Sequence, residues 1–178
     1  MHMVLTEREL LKVQQANPAC RVELRDGRII IMSPSGALSE VIAVMLASRL
    51  NAWVHPKRLG YILGSNGGFR LPNGDIIAPD VSFVTRDRLP TLPAGFADAV
   101  PNLAVEVKSP SDRIRELEEK LGLLRELGAQ ITWLIDPDQR TVAVHELGHA
   151  QLLKDGDTLH LTALLPGWSM HVQDLWPD

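Results

Sequence analysis

The feature that most limits what this chain can fold into is a pair of short apolar segments separated by a helical stretch. The first is Leu103-Ala104-Val105-Glu106-Val107-Lys108, and the second is Gln130-Ile131-Thr132-Trp133-Leu134-Ile135. Between them, Ser111-Asp112 reads as a helix start, and Gly128 caps a helix running to about Leu127. A strand, helix and strand in this order form a right-handed crossover with a parallel strand pair. The first segment is short and nearly continuously apolar, as expected at the centre of a sheet.

Most of the remaining chain reads as hairpins. Asp26-Gly27 joins the β-rich runs Arg21–Arg25 and Arg28–Met32, a strong turn signal. Thr6 and Glu9 have the spacing of a capping box on a short first helix ending near Lys12. Leu38–Val54 repeats its apolar residues at helical spacing. Gly60–Leu63, Gly68–Leu71 and Ile76–Val84 read as strands, and Leu89–Pro101 as a loop. Thr141–Glu146, Gln151–Lys154 and Thr158–Leu161 read as an antiparallel meander. The expected fold is α/β: a mixed sheet flanked by helices, with an N-terminal hairpin and a C-terminal meander. One domain over residues 1–178 is expected, its core spanning about 20–175.

The chain has 178 residues and a net charge of −4. That charge argues against a constitutive, charge-driven nucleic-acid binder, though not against an enzyme with a local basic patch. Lys57-Arg58, Arg86/Arg88 and Arg113/Arg115 are the small basic clusters; each pair taken singly reads as solvated surface or as a phosphate contact. The one cysteine, Cys20, excludes an intramolecular disulfide. Met1–Lys12 carries charges where a secretory signal needs an apolar run, and Val41–Leu50 is too short to span a bilayer. A cytoplasmic protein without a membrane partner is expected.

Glu106 is the informative exception in its apolar strand, because a buried carboxylate is costly unless it is paired or used. Period-2 geometry puts Glu106 and Lys108 on one face, opposite Val105 and Val107. Asp80 follows Pro79 at the start of another apolar run, Val81–Val84. Two carboxylates that converge beside a lysine are the parts of a Mg²⁺-dependent site for phosphodiester hydrolysis. Mg²⁺, with Mn²⁺ as a substitute, is expected on Asp80, Glu106 and the backbone carbonyl of Val107. Lys108 would orient the attacking water or stabilise the charge that develops on phosphate. The plainer alternative makes Asp80 a turn residue and Glu106–Lys108 a surface pair on an edge strand. His145 and His149 fall in a predicted hairpin, and the histidines show no zinc-site spacing.

Pro79-Asp80 with Glu106-Val107-Lys108 resembles the two motif halves of the PD-(D/E)XK nuclease superfamily. Further segments resemble one branch of it, the Uma-two-like family of restriction-endonuclease-like proteins. These are Leu24-x-Asp26-Gly27, Met32-Ser33-Pro34-Ser35-Gly36, Gly68-Phe69-Arg70-Leu71-Pro72, Ala78–Val84, Glu106-Val107-x-Ser109-Pro110-Ser111-Asp112, Glu119-Lys120, Trp133-x-x-Asp136-Pro137 and Leu165-Pro166-Gly167. The resemblance covers roughly residues 20 to 175 and implies a restriction-endonuclease-like sheet with a metal-dependent nuclease core.

Two departures stand out. Many members of that family carry an apolar residue where this chain has Lys108. Many also carry a histidine near the start of the first long helix, where this chain reads Leu38-Ser39-Glu40. Glu40 is therefore either a supporting acid or a solvated first-turn glutamate that complements the helix dipole. Glu23 is a weaker candidate of the same kind. Lys120 either replaces a strand lysine, as a helical lysine does in relatives that lack one, or pairs with Glu116 on the surface.

The leading expectation is a divalent-metal-dependent endonuclease acting on DNA, with Asp80, Glu106 and Lys108 as its catalytic set. The rival is a catalytically idle module of the same fold that binds nucleic acid or protein. A homodimer would suit cleavage of both strands of a duplex. Trp168 and Trp176 are its candidate surface unless they are buried.

Overall fold

The computed structural model describes residues 5–177, so residues 1–4 of the amino-terminal reading lie outside it. Thr6 and Glu9 form the expected capping box, with the Thr6 N–H donating to Glu9 Oε2 at 3.1 Å. The helix it opens, α1 (Glu7–Ala16), is longer than expected, and Leu10 is buried with Leu24 and Ile76. The hairpin β1 (Arg21–Arg25) and β2 (Arg28–Met32) follows. Its turn residues Asp26 and Gly27 have φ of 50° and 65°, the left-handed pair that a two-residue hairpin turn requires.

Helix α2 (Ala37–Val54) matches its predicted span. It has the length and apolarity of a membrane-crossing helix, with mean hydropathy 1.3. Ile42, Leu46, Leu50 and Val54, four apart, are nevertheless fully buried against the sheet, as in a core helix.

After β3 (Gly60–Gly64) come two short strands, β4 (Phe69–Arg70) and β5 (Ile76–Ile77), and then β6 (Val81–Thr85). The sequence suggests one strand from Ile76 to Val84, but the chain changes sheets at Ala78-Pro79-Asp80. Proline has no N–H to continue a ladder, and the break falls there. Next are β7 (Leu103–Val107), α3 (Ile114–Glu126), β8 (Ile131–Asp136), β9 (Thr141–Glu146) and β10 (His149–Lys154). Helix α3 starts three residues after Ser111, because Ser109–Asp112 forms a turn in which Asp112 Oδ2 accepts the Ser109 N–H at 2.8 Å.

β7 and β8 are parallel, as the crossover requires, and lie at the middle of a six-stranded sheet ordered β10-β9-β8-β7-β6-β3. A second sheet of four strands runs β2-β1-β5-β4. The expected meander is only partly formed. β9 and β10 pair, but β11 (Thr158–His160) pairs instead with β12 (Ser169–His171). The segment carrying β11 and β12 folds over one face of the large sheet, where Leu159, Leu161, Leu165, Met170 and Val172 join the core.

Side chains alternate between two apolar clusters. Val105, Val107, Trp133 and Ile135 face α2 and the C-terminal segment, whereas Ala104 and Leu134 face α3. Trp168 and Trp176 are buried in the first cluster and offer no surface to a partner. Glu106 follows Ala104 onto the α3 side, which puts its carboxylate under that helix.

Candidate active site

The site lies where β6 begins and β7 ends. These antiparallel strands pair Val81 with Val105, so the same register continued by one residue sets Asp80 opposite Glu106. Directly opposed residues share a face. The backbone ladder stops there, and the Asp80 side chain completes it, Oδ2 accepting the Val107 N–H at 2.9 Å. The N–H and C=O of one extended residue point to the same side of the strand, so the Val107 carbonyl also lies on the Asp80 side.

Lys120 lies under α3, on the buried side with Leu121 and Leu124. Its Nζ is 2.7 Å from Glu106 Oε1, 2.8 Å from Glu23 Oε1 and 3.1 Å from the Ala78 carbonyl. Glu23 Oε1 also accepts the Ala78 N–H at 3.0 Å. The surface pairing of Lys120 with Glu116 does not form. Lys120 is 3% exposed, Glu23 1% and Glu106 2%. Two arginines of β1 complete the cluster: Arg25 Nε lies 3.2 Å from Glu23 Oε2, and Arg21 Nη1 donates to Asp80 Oδ1 at 2.6 Å.

Burial penalises each of these charges, and their partners decide the outcome. Burial pushes the Glu106 carboxyl up to about 8; Lys120 opposes this, while Asp80 and Glu23 add to it. Burial opposes the charge on Lys120 as well, yet Glu106 and Glu23 hold it above the ordinary lysine range. Glu23 goes the other way: burial raises it, but Lys120 and Arg25 bring it below the usual carboxylate range. Burial also opposes the charge on Arg21, and Asp80 outweighs it. Lys120 is therefore an ammonium wedged between two carboxyl groups, of which Glu106 is the harder to ionise.

The structure brings Asp80, Glu106, Glu23 and Lys120 together and leaves Lys108 and Glu40 out. The parallel register Val107↔Ile135, continued by one residue, sets Lys108 beside Asp136 of β8. Its ammonium pairs with Asp138 and lies 3.9 Å from Asp136 Oδ1. Asp138, with Asp136 and Asp112, holds Lys108 above the ordinary lysine range, opposite to the shift a proton acceptor needs. Glu40 is exposed in the first turn of α2 and lines a neighbouring cleft without reaching Asp80 or Glu106. Of the basic clusters, Arg113 lines the site, whereas Arg115 pairs with Glu119 and Arg88 donates to the Val100 carbonyl.

Asp80, Glu106 and Lys120 line a cleft of about 230 Å³ between β1–β2 and the start of α3. Among the described residues, no three His, Cys, Asp or Glu side chains form a ready metal cage. Mg²⁺ does not need one, since one or two carboxylates with water and phosphate suffice. The donors present are all oxygen: two carboxylates and the Val107 carbonyl. Of the polar atoms buried here, Arg21 Nε has no partner, whereas Arg25 Nε, Glu23 Oε2 and Glu106 Oε1 are held by ion pairs alone. The residues fit the ion.

A model of the Uma2 family, described as "Putative restriction endonuclease", matches residues 8–173. The chain belongs to that family. A crystal structure from Anabaena variabilis, titled a "putative nuclease belonging to DUF820", superimposes with a TM-score of 0.76 at 22% identity, covering 86% of this chain and 88% of that one. It shares the fold. A DrdV–DNA complex matches with a TM-score of 0.36 at 12% identity, over 66% of this chain and 12% of that one. No match was found among curated proteins.

Sequence reasoning missed Arg21 and Arg25 in this Uma2-family chain. A signal was present. Arg21-Val22-Glu23-Leu24-Arg25 alternates charged and apolar residues over a whole strand. Such a pattern ordinarily marks a solvated face, but here the charged face closes over a cleft.

Proposed function

We propose that this protein is a divalent-metal-dependent endonuclease that hydrolyses phosphodiester bonds in DNA. The observation that carries the reading is Lys120, an almost fully buried ammonium held by Glu23 and Glu106 beside Asp80 at the mouth of a cleft. A buried charge cluster is weak evidence of stability, since apolar packing of equal volume often does as well. A cluster of this kind at converging strand ends, in a family described as "Putative restriction endonuclease", favours chemistry.

Asp80, Glu106 and the Val107 carbonyl would hold the ion. Bound Mg²⁺ supplies an activated water and neutralises phosphate charge. Lys120 remains protonated, so it stabilises anionic oxygens rather than accepting a proton. Glu23 fixes the lysine Nζ, and the Ala78 backbone holds Glu23 through its N–H and the lysine through its carbonyl. Lys120 thus takes the role that sequence reasoning gave to Lys108.

The test is Mn²⁺-dependent cleavage of DNA by wild type, Asp80→Asn, Lys120→Met and Lys108→Ala, each checked for folding. Cleavage is expected to vanish in the first two variants and persist in Lys108→Ala. Activity that survives in Asp80→Asn and Lys120→Met would defeat the reading.

One observation favours the idle interaction module. Every carboxylate of the cluster already has a cationic partner. Metal-independent, salt-sensitive DNA binding without cleavage would support that alternative.

A further inference from the structure

Arg21 is the cation of this cluster that stands between two clefts. It lines the 230 Å³ site and also an adjoining cleft of about 440 Å³, beside Cys20, Ser65, Gly68 and Phe96. Its hold is narrow. Nη1 is bound to Asp80 Oδ1, Nη2 makes only a 4.0 Å contact with Met32 Sδ, and Nε is buried without a partner. Lys120, by contrast, has three oxygen neighbours and is fixed.

The contact made by Arg21 is also the one that metal loading must disturb. Asp80 Oδ2 accepts the Val107 N–H, and Oδ1 is the oxygen without a backbone hydrogen bond, the freer one for an ion. Arg21 occupies Oδ1 at 2.6 Å. A divalent cation there would repel the guanidinium and take its acceptor. The displaced group would find room in the adjoining cleft and need a new anion. A phosphodiester brought in by DNA is the anion at hand, and guanidinium suits it geometrically.

Resting on the nuclease reading above, the geometry points to Arg21 as a metal-displaced phosphate receptor. In the metal-free protein it holds Asp80. Once a divalent ion takes Asp80 Oδ1, Arg21 turns to the substrate backbone where it enters from the adjoining cleft. The ion and the guanidinium exclude each other at Asp80, so metal and DNA bind in support of one another.

The test measures two affinities in full-length wild type, Arg21→Ala and Arg21→Lys, with thermal melting to confirm folding. Mn²⁺ binding alone is followed by electron paramagnetic resonance. Binding of a labelled mixed-sequence oligonucleotide at saturating Mn²⁺ is followed by anisotropy. Loss of a charged hydrogen-bonding competitor is expected to tighten Mn²⁺ binding by Arg21→Ala about tenfold or more, and to weaken oligonucleotide binding by a similar factor. Arg21→Lys should recover part of the oligonucleotide affinity. Opposite signs in the two affinities are what a merely structural arginine would not give, since a damaged site weakens both. Mn²⁺ binding that is unchanged or weaker in Arg21→Ala overturns this role and leaves the nuclease reading standing. Absence of Mn²⁺ from both wild type and Arg21→Ala overturns the nuclease reading, and the role of Arg21 with it.

Discussion

Lys120 sits within 3 Å of carboxylates from two sheets, and its removal should show how much the cluster depends on one charge. Lys120→Met nearly keeps the volume but takes from Glu23 the nearer of its two cations. Breaking a buried pair in this way costs about 3–5 kcal/mol, so thermal melting should fall steeply, whereas Glu116→Ala should move it little. Glu106 gives a second prediction. Its pKa rises from 4.5 to about 8 on folding, so between those values the folded chain holds a proton that the unfolded chain has released. This contribution to stability is full below about pH 4.5 and is lost as pH rises through about 8. Metal-free Glu106→Gln should lack that decline, as seen in melting temperatures across the window. Mn²⁺ must displace the same proton, so its affinity should rise with pH up to about 8 and then level off. The sequence pointed to Asp80 and Glu106 because each interrupts or opens an apolar run. It pointed to Lys108 because period-2 spacing says which face a side chain is on, not which neighbouring strand captures its end. Asp136 and Asp138 captured it.

At the scale of elements, the central crossover, both flanking helices and the first hairpin were legible, since each carries a period or a turn signal of its own. The break at Ala78-Pro79-Asp80 was less so. An apolar run with one proline looks like a single strand until the partner strands are known, and here they belong to different sheets. The pairing of β11 with β12 was hidden for the same reason: alternation specifies a strand but not its partner. Gly60 offers a test of how closely β3 and β6 approach. A Cβ there would lie 2.1 Å from the Val84 carbonyl oxygen, which is backbone and cannot rotate away. Gly60→Ala should therefore destabilise the protein by about 3 kcal/mol, the upper part of the range for an overfilled site. The urea midpoint should fall with an unchanged slope.

For the molecule as a whole, a net charge of −4 leaves only local basic groups to meet DNA. Arg21, Arg25 and Arg113 line the site cleft, and all three are already paired with carboxylates. Few counterions can be released by so small a set. The logarithm of DNA affinity should fall against the logarithm of salt with a slope of about −3 or shallower, measured by anisotropy at saturating Mn²⁺. A much steeper slope would mean that a basic surface elsewhere joins the contact.

Lys120 reaches Glu23 of the four-stranded sheet and Glu106 of the six-stranded one. Those residues are 83 apart in the chain (106 − 23), and the lysine arrives from a third element. No stretch of chain that ends before α3 contains all three. On the nuclease reading, a polypeptide that has not yet docked α3 on both sheets is harmless to the genome beside it, and the ability to cut is acquired only once that helix is in place.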